Sequence, residues 1–101
     1  MAVIISGKIK LDPSKRDAFM AATTPLMDAT RAEDGCLEYV FTRDTHDDGL
    51  VRLFEMWDSA DNLGPHMKMP HINEFFAVAA TLGDIDQTIT MYEVTGETPL
   101  S

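Results

Sequence analysis

Apolar residues recur at two different periods along this chain, and each change of period marks a new element. Ala2 to Leu11 (AVIISGKIKL) is β-branched and alternates apolar with polar towards its end, which predicts a strand. Asp12-Pro13-Ser14 predicts a helix start. Pro13 suits a first turn, and Ser14 stands three residues before Asp17 in the manner of a capping box. Phe19, Ala22, Leu26 and Ala29 then recur at helical spacing and predict the buried stripe. Pro25 withdraws one backbone donor inside that helix, so a kink or break is expected there. The helix is predicted to end before Gly35.

Cys36 to Arg43 (CLEYVFTR) and Leu50 to Trp57 (LVRLFEMW) read as two further strands, and an Asp48-Gly49 turn signal between them predicts a hairpin. Ser59 or Asp61 suits the cap of a short helix that reaches Leu63 before Gly64-Pro65 interrupts it. Pro70 opens another helical segment, with Ile72, Phe75, Phe76 and Ala79 on one face. Gly83 stops it, and Ile85 to Val94 alternates as a last strand ahead of a polar tail over 95–101. The order β-α-β-β-α-β predicts an α+β, ferredoxin-like domain with an antiparallel sheet, spanning residues 1–101 with its core in 2–94.

Both helices of such a fold cover the same sheet face, yet the strands are apolar on both. Leu37, Tyr39 and Phe41 share one face of the second strand, while Cys36 and Val40 share the other. In the third strand Leu53 and Trp57 oppose Phe54 and Met56. A lone chain would leave a large apolar patch wet, so a homodimer packed sheet against sheet is expected.

Charge narrows the partners. Seventeen acidic residues against eight basic ones give a net charge of −9. That balance argues against nucleic acid and against anionic membrane surfaces. One cysteine permits no intrachain disulfide. With no signal-like or membrane-spanning apolar run either, a cytoplasmic location is expected.

The candidate chemistry crowds into residues 55–76 (EMWDSADNLGPHMKMPHINEFF). Glu55 and Trp57 point the same way on their strand, so apolar surroundings should perturb the Glu55 carboxyl, unless it serves only as a structural acceptor. Trp57 equally suits core or interface. His66 and His71 would lie about 140° apart on one helix, and Pro70 breaks the register. That spacing lacks the i, i+4 pairing of a metal-binding helix, and the nearest evident oxygen ligand is Glu55, so no metal is expected. An imidazole facing a pocket suits a general base near neutral pH. His66 is the candidate, with a helix-end role as its structural alternative, whereas His71 reads as a solvent-facing first-turn residue. Cys36 reads as a small buried hydrophobe. No nucleophile elbow, phosphate-cradling loop or dinucleotide fingerprint is present. What remains is a greasy pocket suited to a flat, mostly apolar ligand.

RAEDGCLEY at 31–39, FEMW at 54–57, His66, and PHINEFF at 70–76 together resemble the antibiotic biosynthesis monooxygenase domain, in order and over nearly the whole chain. The resemblance implies a ferredoxin-like protomer that dimerises into an α/β barrel, with a ligand pocket between sheet and helices. Members similar to this chain include small quinol monooxygenases, which oxidise polycyclic phenols with O2 and without bound flavin or metal. On that reading no cofactor is expected. His66 acts as base, Glu55 orients or polarises the substrate, and Trp57, Phe76, Tyr39 and His71 shape the cavity. Related haem-degrading enzymes place an asparagine, a tryptophan and an axial histidine at about Ser6, His66 and Phe76; the axial place lacks a ligand here, so haem degradation is not expected. Two alternatives stay open. One is a non-catalytic small-ligand-binding dimer; the other is an enzyme isomerising or clearing a phosphorylated signalling sugar, with Lys8, Lys10 and Arg52 as phosphate partners.

Overall fold

A computed structural model describes all residues, Met1–Ser101. The elements follow the order β1 (Val3–Lys10), α1 (Arg16–Thr30), β2 (Cys36–Arg43), β3 (Leu50–Trp57), α2 (Ala60–His66), α3 (Pro70–Ala79) and β4 (Asp86–Glu93). The strands form one antiparallel sheet in the order β2-β3-β1-β4, the ferredoxin-like arrangement. No helix is long and apolar enough to cross a membrane.

The odd-numbered side chains of β1 and β3 face the helices. Val3, Ile5 and Ile9 meet Val51, Leu53 and Trp57 there, and Phe19 and Leu26 of α1 close over them. The buried stripe of α1 is Phe19, Thr23, Leu26 and Thr30, with Thr23 and Thr30 one residue on from the expected Ala22 and Ala29. Thr23 tolerates burial because its hydroxyl donates to the Met20 carbonyl at 2.6 Å. The helix runs through Pro25 without a break. Its entrance is a 3-10 turn, Pro13–Lys15, capped by Asp12, which accepts from the Ser14 amide and hydroxyl; the Ser14–Asp17 box does not form.

The β2–β3 hairpin forms, but its loop is not a two-residue Asp-Gly turn. Asp44 accepts from the His46 and Asp47 amides, and Asp47 accepts from the Gly49 amide. Gly64-Pro65 does not stop α2, whose N-terminus Ser59 caps. Proline removes only one intrahelical bond at that point, so the helix continues to His66.

A β-bulge between Cys36 and Glu38 reverses the expected faces at the start of β2. Cys36 packs against the core, while Leu37 is 55% exposed. On the sheet face away from the helices, Ile4, Val40, Phe54 and Met56 are only half-buried, and Tyr92 is exposed.

Candidate active site

Between the helix-facing side of the sheet and the three helices lies a cavity of about 240 Å3. Its walls are mostly apolar, among them Ile5, Phe41, Leu53 and Ile72, and the polar groups reaching it include Glu55, His66 and Tyr39. A more open hollow of about 350 Å3 runs along Arg31, Cys36 and Glu38 and is lined by no buried acid or imidazole.

Glu55 sits on β3 with its side chain turned to the helices, and Trp57 Nε1–H donates to its Oε1 at 3.0 Å. Burial pushes the Glu55 carboxyl above the ordinary glutamate range; the Trp57 hydrogen bond and the nearby His66 act against that rise. Trp57 is fully buried and packs its indole against His66 with ring centroids 5.0 Å apart, so it supports the site from behind. Tyr39 stands edge-on to the other flank of His66 at 5.2 Å. Burial, with the charges of Glu55 and Glu33, holds its phenol well above the usual tyrosine range, so it stays neutral. Phe76, 52% exposed, lies at the cavity's rim.

The decisive residue is one to which the spacing arguments gave no role. Glu33 Oε2 lies 2.7 Å from His66 Nδ1 and 2.7 Å from His71 Nε2. His66 ends α2 and His71 opens α3, so the two imidazoles come from different helices and converge on one carboxylate. The expectation of a solvent-facing His71 therefore fails, since its side chain is only 19% exposed and is tied to Glu33. The turn after α1 delivers Glu33. Its amide bonds the Thr30 carbonyl, and Gly35 follows at φ +80, where an added Cβ would strike Asp58 and Asn62.

An ionised carboxylate only accepts hydrogen bonds, so both facing nitrogens must donate. The neutral His66 ring is thereby held as the Nδ1–H tautomer, with its lone pair on Nε2. Thr30 Oγ1, beside the Tyr39 hydroxyl but without good hydrogen-bond geometry, is the sole sealed side-chain polar atom lacking a partner. His66 Nε2 also makes no hydrogen bond within the protein, so it keeps access to the cavity that His66 lines. The second Glu55 oxygen is open in the same way. The site thus brings an imidazole held by a carboxylate and a second, buried carboxyl to one apolar space.

Lys8 and Arg52 pair across β1 and β3 on the outer sheet face, and Lys10 lies on that face too. Arg52 binds Asp44 and Lys10 binds Asp47. No lysine or arginine lines the cavity, which leaves the phosphorylated-sugar reading without a phosphate partner there. Ser6 also lies on the outer face, away from His66 and Phe76.

The sequence profile described as "Antibiotic biosynthesis monooxygenase" matches residues 2–78. The chain belongs to the antibiotic biosynthesis monooxygenase family. An uncharacterized protein of Synechocystis sp., sll1783, is 28% identical over 92 residues, covering 91% of this chain and 63% of that protein. The chain therefore spans a little under two thirds of that relative's length. Among solved structures, Rv0793 from Mycobacterium tuberculosis superposes with a TM-score of 0.83 at 28% identity, over 98% of this chain and 100% of that one. A crystal structure from Deinococcus radiodurans gives 0.88 at 25% identity, over 98% of both chains. The matched region takes in Glu33, Glu55, His66 and His71.

Proposed function

We propose that this domain is a cofactor-independent monooxygenase that oxidises a phenolic or quinol-type aromatic with O2. The observation that carries the reading is the Glu33–His66 hydrogen bond, which occupies Nδ1 of a cavity-lining imidazole and leaves the lone pair to Nε2. O2 reacts slowly with closed-shell organics, but a phenolate or its carbanion form donates an electron readily. The protein's task is then to bind the substrate dry, remove a proton and hold the anion.

His66 Nε2 takes the acidic proton from the phenol or the ring carbon. The anion passes an electron to O2, and the radical pair closes to a carbon-bound peroxide. The peroxide takes a proton from Glu55 and loses water as its remaining C–H proton joins the departing hydroxide, and the proton held by His66 returns to Glu55. In sum, a ring methylene and one O2 become a ring carbonyl and one water. Tyr39 and Phe76 shape the space, Trp57 steadies Glu55 and His66, and Glu33 fixes the working tautomer.

The functional unit is a homodimer joined through the outer sheet faces, because Ile4, Phe54, Met56 and Tyr92 otherwise leave an apolar patch in water. Oxygen uptake on a panel of hydroquinones and anthrones tests the activity. One O2 consumed per quinone formed, with one oxygen atom in the product and no H2O2 released, supports it, whereas saturable binding with no uptake would make the domain a binding module.

A further inference from the structure

Glu33, His66 and His71 each offer one ligand atom, and these three atoms lie within 4.8 Å of one another. Two imidazole nitrogens and a carboxylate oxygen form a donor set that suits first-row divalent transition ions and disfavours magnesium or calcium. We propose that this trio is a binding site for one zinc-class divalent ion, and that the ion reverses the hydrogen-bonding sense of His66 on the cavity side.

The three ligand atoms, spread over up to 4.8 Å, must both open and close to reach one ion, and the two imidazole nitrogens must draw together by up to about 1.5 Å. Zinc takes nitrogen and oxygen at about 2.0–2.2 Å, which places tetrahedral ligand atoms roughly 3.3–3.5 Å apart. Both nitrogens now stand 2.7 Å from Glu33 Oε2, so that oxygen must withdraw from each by less than about 1 Å. The side chains of His66 and Glu33 are 2% and 8% exposed, and that of His71 is 19% exposed at the first turn of α3. His66 and Glu33 thus form a fixed, dry half-site, and His71 is the gate through which an ion enters. Three protein ligands leave a coordination position for water, the pattern of an open rather than a closed site. The chain's charge of −9 favours dications over anions at every approach.

Ion binding needs no net proton loss from a neutral histidine. Each ring moves its proton to the far nitrogen, His71 to Nδ1 and His66 to Nε2. The cavity then faces a donor where it had faced a lone pair. On the proposed function, a metal-loaded site would lack its base; the binding itself rests only on the trio.

The test uses chelator-treated protein titrated with Co2+ and with Zn2+, read by cobalt absorption and by calorimetry. One ion per chain is expected, and His71→Ala should weaken binding by roughly 10²-fold or more. Glu33→Gln should do the same with the side-chain volume kept. His46→Ala, at an exposed histidine in the β2–β3 loop, should leave binding unchanged. Two-bond 1H–15N spectra should show His66 passing from the Nδ1–H to the Nε2–H tautomer on zinc addition. Binding that survives His71→Ala and Glu33→Gln, or that is absent from the unsubstituted protein, overturns the site. Binding with an unchanged His66 tautomer overturns the reversal.

Discussion

Glu33 and His66 should be coupled in stability, and a double-mutant cycle measures that coupling. The variants are Glu33→Ala, His66→Ala and the pair together. The contact is 2.7 Å long, and both side chains are almost wholly buried, so solvent screens it little. A buried charge-assisted hydrogen bond of this kind contributes about 1.5–3 kcal/mol. Each alanine alone leaves the other group without its partner, whereas the double variant removes both, so the double should cost less than the sum by about that amount. The matching cycle through His71 should give a smaller coupling, because water can replace the carboxylate at its more exposed ring. Urea titrations at one fixed protein concentration supply the four free energies, with the concentration held because dimerisation shifts apparent stability. Additive single effects would refute the claim that Glu33 holds His66.

Glu55 should leave a signature in the pH dependence of stability. Burial raises its folded-state value, so the associated stability is present below the ordinary glutamate value of 4.5 and is lost as pH climbs through the raised one. Glu55→Gln removes that loss, and its stability relative to wild type should improve from acid to neutral pH; a gap that does not change with pH contradicts this. On the outer sheet face, Phe54→Lys or Met56→Lys should split the dimer in sedimentation while the wild type stays dimeric. A wild type that sediments as a stable folded monomer at micromolar concentration would refute sheet-to-sheet pairing.

Much of the scaffold was legible in local pattern. CLEYVFTR and LVRLFEMW declare β2 and β3 at their true ends, because aromatic and β-branched residues fill them and polar turns bound them. The failures occur where a bond outside the local pattern decides. A threonine that satisfies its own hydroxyl passes for core, so Thr23 joined the stripe of α1 in place of Ala22. The bulge at Cys36/Glu38 reversed Leu37, and no period-2 count can see an inserted residue. Glu55 and His66 were identifiable as polar groups amid apolar ones and Tyr39 entered through the family resemblance, and the fold brings all three to one cavity. Glu33 was not, for it is one of seventeen acids, in a polar turn, 33 residues from His66. The one available signal was its place in RAEDGCLEY, where the family resemblance runs through it. His71 was misjudged for the same reason, since its partner comes from the far side of the sheet hairpin.

The central claim is that His66 Nε2 takes a proton from the substrate, and oxygen uptake by His66→Ala tests it most directly. On a substrate that the wild type oxidises, the variant should lose roughly 10²–10⁴ in kcat while remaining folded. The loss should shrink across a series of substrates of rising acidity and nearly vanish for those already ionised in water. His71→Ala should lose less, because Glu33 keeps its bond to His66. Full activity of His66→Ala over about pH 6 to 8, the span in which an imidazole base must show itself, would contradict the account and turn the search for the base to Glu55.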